Sequence, residues 1–343
     1  MTVVDDLGPR LLRGGPVASD VRATVAADVA AFRAEHGYTP ELAVVIVGRD
    51  APSTVYLHKI LDGCRLVGIT DRLVELGDDC TAEALGHEIL ALGADPAVAG
   101  IIVQQPLPAA IPLRVVIDTL DPAKDIDGIH PFNAGLLALG YEGFLPATAH
   151  AAVELLKRSG IELKGKHAVV VGRSNIVGKP AALLLLREHA TVTICHSRTP
   201  DLGARVREGD VVVVAAGRPG LVTGEMLKPG AVVVDIGINV VEGRLVGDVD
   251  FESAARVASA ITPVPGGVGP LTNAILLTHL VRAARNQAEG RAAPGSPSLR
   301  PLVTSGPAPT IAASRPAPTT AASGPARRPA PTSPARRPAT PTS

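Results

Sequence analysis

The sequence predicts an α/β protein built on parallel sheets, carried in two domains and followed by a compositionally distinct tail. Short β-branched runs alternate with longer stretches of helical period over residues 10 to 285. Most of those runs are continuously apolar, as strands covered on both faces should be. At 343 residues, the chain also exceeds the roughly 150 residues of one ordinary domain.

In chain order, strands are expected at 42–47, 100–103, 167–171, 190–195, 210–215, 231–236 and 260–264. Helices at 21–35, 54–67, 82–92, 149–158 and 179–188 fall between them. A Gly/Pro-bearing stretch at 140–146 precedes a helix and a new series of strands, so the domain boundary is set near 145. Beyond residue 288 the composition turns to Pro, Ala, Thr, Ser and Arg, with the imperfect repeat PARRPAPTS/PARRPATPTS near the end. Such a segment cannot bury enough apolar surface to offset chain entropy, and disorder is expected over 289–343.

Charge separates the same two parts. Lys+Arg and Asp+Glu number 33 each, but residues 290–343 hold seven Arg and no acid, leaving 26 cations against 33 acids in the remainder. A folded part at −7, with 2% aromatics and no Trp, disfavours nucleic acid and anionic membrane surfaces as partners. Cys64, Cys80 and Cys195 are odd in number and widely spaced, which fits neither a disulfide framework nor a structural zinc site. No run of 18 apolar residues occurs, and Asp5 and Asp6 precede any hydrophobic stretch. A soluble cytoplasmic protein without a bound metal is the expectation.

The strongest local signal is HAVVVG (167–172) followed by RSNIVGKP (173–180) and a Leu-rich helix. A glycine that ends a strand and another that opens a helix let backbone approach a pyrophosphate at the helix N-terminus. The spacing is G-x-S-x-x-x-G rather than G-x-G-x-x-G, and an ordinary Gly turn would read the same. The next strand discriminates better. It ends in His196, Ser197 and Arg198, where an NAD site would carry a carboxylate, and Arg173 adds a second cation. Hydroxyl and guanidinium donors suit a 2′-phosphate, so NADP is favoured over NAD.

Four segments together, IIVQQPLP (101–108), KDIDGIHPFNAG (124–135), VVGRSNIVGKP (170–180) and ITPVPGGVGPLT (261–272), resemble the methylenetetrahydrofolate dehydrogenase/methenyltetrahydrofolate cyclohydrolase family. The likeness runs from about residue 10 to 287 and leaves out the tail. It implies a homodimeric enzyme with two α/β domains around a cleft. A folate-binding catalytic domain over 1–145, completed by a C-terminal helix at 271–288, would face a Rossmann NADP domain over 146–270. Members oxidise the methylene carbon bridging N5 and N10 of tetrahydrofolate, and often then hydrolyse the methenyl product to 10-formyltetrahydrofolate.

Carried over residue by residue, the resemblance assigns catalytic positions to Tyr56, Gln104 and Asp127. Asp127 would accept the guanidine-like edge of the pterin. Pro265, Gly266 and Gly267 would form the substrate loop, while Gly172, Arg173, Ser174, Ser197, Arg198 and Ile238 would meet the cofactor. Asp125 would support its loop rather than touch substrate. One departure matters. The family places a Lys one helical turn after the Tyr as the base for hydrolysis, and Ile60 stands there. Lys59 precedes it, rotated by about 100° around the helix, and is the one available substitute; His58 points away. The expected activity is therefore the dehydrogenase step with cyclohydrolase lost or reduced. The alternatives are the full bifunctional enzyme with Lys59 as base, or a catalytically silent folate or NADP binder. Gln105, Asn273, Gly15 and the LPATAH segment (145–150) also depart from the family pattern, in keeping with a diverged paralogue.

Overall fold

The computed structural model describes residues 8–48 and 57–290 in full, and the backbone of 51–56. The chain begins with β1 (Arg10–Leu11), α1 (Gly14–His36), β2 (Glu41–Val47), α2 (Ala51–Val67), β3 (Thr70–Leu76), α3 (Ala82–Ala94) and β4 (Val98–Val103). Three helices follow: α4 (Arg114–Thr119), α5 (Pro131–Leu139) and α6 (Ala147–Arg158). The next series is β5 (His167–Val171), α7 (Gly178–Arg187), β6 (Thr191–Cys195), α8 (Leu202–Arg207), β7 (Val211–Val214) and β8 (Val232–Asp235). It closes with β9 (Asn239–Val241), β10 (Arg244–Val246), α9 (Phe251–Ala255), β11 (Ala260–Ile261) and α10 (Val268–Ala288). The disorder expected of the tail falls, from residue 291 onward, outside the described residues.

Two parallel sheets organise these elements, in agreement with the α/β class read from the sequence. The first has the order β3-β2-β4, and the second β1-β11-β8-β7-β5-β6. β5, β7 and β8 are runs of Ala and Val buried at almost every position, because helices cover both faces. β3 was not foreseen. It is an edge strand whose alternating exposed and half-buried residues, Asp71, Arg72 and Glu75 among them, break the apolar run. β1 joins the second sheet although it opens the chain, pairing Arg10 with Ala260 and Leu11 with Ile261.

Helix α1 buries Ala18, Val21, Val25, Val29 and Phe32, a stripe at helical spacing, and stops at Gly37 in the left-handed conformation (φ 78°). Each of its larger buried side chains contributes about 1.5–3 kcal/mol of apolar burial. The stripe packs on α10, which also touches α6, α2 and β4. Surrounded on most sides, α10 buries residues all round its circumference, from Val268 and Leu271 to Leu280 and Ala284. No described helix is long and apolar enough to cross a membrane.

Candidate active site

The sheet order changes direction at β5: β6 lies on one side of it and β7 on the other, which opens a crevice at their C-terminal ends. There the backbone turns at Gly172 with φ 131°, a conformation for glycine alone. A Cβ on Gly172 would stand 2.1 Å from the Ala215 carbonyl oxygen, and one on Gly178 would stand 2.3 Å from the Gly172 carbonyl oxygen. Bare backbone thus meets the N-terminus of α7, as a dinucleotide pyrophosphate requires. Ser174 Oγ accepts hydrogen bonds from the Val177 and Gly178 amides at 3.1 and 3.2 Å, which orders the turn and leaves its hydroxyl hydrogen available. Arg173, Ser197 and Arg198 are exposed around the crevice, and the Arg198 amide donates to His196 Nδ1 at 3.1 Å.

Two carboxylates not singled out in the sequence brace this end. The side chain of Asp248, fully buried, accepts from the amides of Ala216, Gly217 and Arg218 at 2.6–2.8 Å and from Asn239 Nδ2 at 2.9 Å. Asp235 accepts from the amides of Gly237, Asp248 and Val249 at 2.9–3.0 Å, and burial pushes its carboxyl up to about 6. Together they fix the loop after β7 to the β9–β10 hairpin. Acids set in the glycine-bearing stretches DIGIN and VGDVD were the available signal.

A cavity of about 550 Å³ opens beside this network, with Lys59, Thr148, Ile238, Asn273 and the loop from Pro263 to Gly267 on its wall. The loop is pressed between two neighbours. The Gly14 amide donates to the Gly266 carbonyl at 3.0 Å, while a Cβ on Gly267 would meet Pro263 O at 2.7 Å and Thr262 Cβ at 2.8 Å. Gly266 itself has φ 104°. Pro265, Gly266, Gly267 and Ile238 are thereby gathered at one cavity, with Ile238 68% exposed.

Gln104 and Asp127 are not on that wall. Gln104 continues β4 through its amide, which donates to Val45 O at 2.8 Å; its Nε2 donates to Gln105 O, and its Oε1 is buried with no described partner. Asp127 is half-buried, and burial first, then the nearby Asp125, pushes its carboxyl up to about 7. Asp125 is fully buried and accepts from the amides of Ile129 and His130 and from Asn133 Nδ2 at 2.8–3.1 Å, so it ties its own loop together. The side chain of Tyr56 lies outside the described residues. Ile60 does not face the cavity: it is 1% exposed in the core with Leu57, Leu61, Cys64 and Val67, whereas Lys59 on the neighbouring face lines the cavity with Asp62 and Gly63. No group of His, Cys, Asp and Glu among the described residues is arranged to hold a metal ion.

Residues 12–127 match the catalytic domain of tetrahydrofolate dehydrogenase/cyclohydrolase, and residues 146–288 match its NAD(P)-binding domain. The chain belongs to the tetrahydrofolate dehydrogenase/cyclohydrolase family. It is 53% identical over 282 residues to the bifunctional protein FolD of Roseiflexus sp. (strain RS-1), covering 82% of this chain and 98% of that protein. A crystal structure of the bifunctional FolD methylenetetrahydrofolate dehydrogenase/cyclohydrolase of Campylobacter jejuni is 42% identical, with a TM-score of 0.79 over 80% of this chain and 98% of that one. The Trypanosoma brucei enzyme, solved with NADP cofactor and inhibitor, is 39% identical with a TM-score of 0.79, covering 83% of this chain and all of that chain. The two matched domains of the tetrahydrofolate dehydrogenase/cyclohydrolase family span both sheets, β1 apart, and α10.

Proposed function

We propose that this chain oxidises 5,10-methylenetetrahydrofolate to 5,10-methenyltetrahydrofolate with NADP. The observation that carries the reading is the cavity into which Ile238 and the loop from Pro263 to Gly267 both open, next to a crevice whose glycines leave bare backbone for a dinucleotide. NADP, when bound, supplies the hydride acceptor. Arg173, Ser197 and Arg198 would hold the 2′-phosphate, and Gly172 with Ser174 would hold the pyrophosphate. Loss of hydride leaves a cation spread over N5, the bridging carbon and N10, so the dehydrogenase step needs chiefly two rings held in contact. Asp127 would fix the pterin by accepting two N–H bonds, and the glycines at 266 and 267 would let the substrate approach backbone.

A second activity is favoured by Lys59, which lines the same cavity while Ile60 is turned into the core. Lys59 would accept a proton from water as its oxygen adds to the methenyl carbon. The added hydroxyl then gives up its proton to become the formyl oxygen as the carbon–N5 bond breaks, N5 takes up a proton, and 10-formyltetrahydrofolate is released, the proton held by Lys59 passing to solvent. Gln104 has a buried and unpartnered Oε1, and in this reading it is the acceptor that a lysine amine would meet if Lys59 turned toward it.

Two assays on the purified chain test both steps. NADPH should form on addition of methylenetetrahydrofolate and NADP, and the methenyl absorbance should decay faster than it does without protein. Lys59→Ala should abolish the decay and leave NADPH formation largely intact. If Lys59→Ala clears the methenyl compound as well as the parent does, Lys59 is not the base. Binding of folate or NADP without NADPH formation would favour the silent binder.

The same reading makes the protein a homodimer in the cytoplasm. Exposed Val240, Val241 and Leu245 on the β9–β10 hairpin support contact with a second copy, and the free thiols of Cys64, Cys80 and Cys195 support a reducing compartment. A monomeric mass by light scattering at micromolar concentration would refute the dimer.

A further inference from the structure

We propose that His150 and His279 form a two-imidazole relay that positions Asp127 for folate binding. The proposal rests on the reading of Asp127 as the pterin carboxylate, and goes beyond it by assigning what holds that carboxylate in place.

His279, on α10 and 3% exposed, contacts the Ile126 carbonyl oxygen through Nδ1 at 2.7 Å. A carbonyl only accepts, so Nδ1 carries the hydrogen and Nε2 carries a lone pair. His150, on α6, approaches that lone pair with its own Nδ1 at 3.2 Å and must be the donor. The hydrogen-bond pattern therefore fixes both tautomers: His150 to His279, and His279 to the peptide between Ile126 and Asp127. The two rings lie nearly parallel, with centroids 5.4 Å apart, and Phe144 packs against His279 at 5.8 Å.

The geometry around Asp127 makes this more than a core contact. Its own carbonyl oxygen accepts from the Ala147 amide at 3.4 Å, and Ala147 opens α6, the helix that carries His150. The Asp127 loop is thus gripped on one side by α6 and on the other by α10, and the imidazole pair joins the two grips. The loop has little slack elsewhere. Gly128 (φ 66°) has room for no side chain, since a Cβ would lie 2.4 Å from the Leu145 carbonyl carbon, and Ile126 is fully buried beside Gly100.

Glu154 and Lys157 of α6, Arg187 of α7 and Arg282 of α10 are the charged groups that act on His150; Arg282 and His150 act on His279. Burial outweighs them, pushing His150 down to about 4 and His279 well below its ordinary range, so both rings are neutral at physiological pH. A neutral pair is what the assigned tautomers need.

Removing the relay leaves the buried Ile126 carbonyl without its donor and frees the peptide that carries Asp127. Displacement of a binding group by about 1 Å can cost on the order of 100-fold. His279→Leu should accordingly raise the KM for methylenetetrahydrofolate at least about 10-fold, with the KM for NADP unchanged and kcat within about 2-fold. His279→Asn, whose side-chain amide can donate to Ile126 O, should restore most of the loss. His150→Ala, which leaves Nε2 of His279 unpartnered, should raise the folate KM by a smaller factor, and should add nothing in the His279→Asn background.

Asp127→Asn is measured alongside. If it leaves the folate KM unchanged, the reading of Asp127 fails. If it raises that KM while His279→Leu and His150→Ala do not, the relay fails and the histidines are merely structural. Should His279→Leu not fold, the outcome rests on His150→Ala: a raised folate KM with unaltered NADP KM supports the relay, and an unchanged one overturns it.

Discussion

Asp127→Asn should make the ligand-free protein more stable while weakening folate binding. The Asp127 carboxyl is raised from 3.8 to about 7 by burial and by Asp125. A folded carboxyl that holds its proton more tightly than the unfolded one loses stability as pH rises, here between about pH 4 and pH 7. At about 1.4 kcal/mol for each tenfold change in proton affinity, the ionised side chain costs up to about 4 kcal/mol above that window. The amide avoids the charge but keeps a desolvation cost of about 1–3 kcal/mol. The net gain is about 1–3 kcal/mol, or roughly 2–10 °C in Tm. Calorimetry at about pH 5 and about pH 8 measures it, because the variant should lack part of the parent's decline between them. Asp235, pushed up to about 6, contributes its own decline to both proteins and cancels in the difference. In the folate titration the amide offers one acceptor where the carboxylate offers two, and affinity should fall on the order of 10–100-fold. A variant no more stable than the parent at about pH 8, or one with the parent's full pH slope, would refute the assignment of buried charge to this loop.

Gly172→Ala adds a methyl 2.1 Å from the Ala215 carbonyl at a φ of 131°, and should abolish NADP binding, read by fluorescence titration, and lower Tm. Arg198→Ala combined with Ser197→Asp should lower kcat/KM for NADP and raise it for NAD, because a carboxylate at the end of β6 accepts from a ribose hydroxyl and repels a 2′-phosphate. An unchanged cofactor ratio would place the 2′-phosphate elsewhere.

The alternation of strands and helices was legible because the central strands are apolar on both faces. The runs at β5, β7 and β8 need no tertiary information to be recognised. β3 was hidden because it lies at an edge, where charge is tolerated on the outward face, and β1 because two residues carry no period. The position of Ile60 is a different case. Matching to the family puts it where a base belongs, yet Leu57, Ile60, Leu61, Cys64 and Val67 form a continuous buried stripe, and that spacing was readable in the sequence. Residue-by-residue matching did not weigh that spacing. His150 and His279 are 129 positions apart, and Asp248 meets amides some 30 residues away, so no local pattern announces either arrangement.

The binding side of the molecule is organised by α10 more than by either sheet. The helix starts at Val268, directly after the Pro263–Gly267 loop, and one turn later puts Asn273 on the cavity wall. Two turns further His279 holds the Ile126 carbonyl; beyond it Arg282 lies 4.4 Å over the Phe144 ring and donates to Gly143 O, and Gln287 donates to Ala99 O within β4. Gly100 is what permits this spacing, since a Cβ there would meet Ile126 Cγ2 at 2.6 Å and Leu280 Cδ1 at 2.7 Å. A methyl group at position 100 would press on the Ile126 and Leu280 side chains at once, and so on the Asp127 loop and α10 together. The small residue in β4, the imidazole on α10 and the Asp127 loop form one packing unit, so a strand with no place on the cavity wall helps to fix where that loop sits.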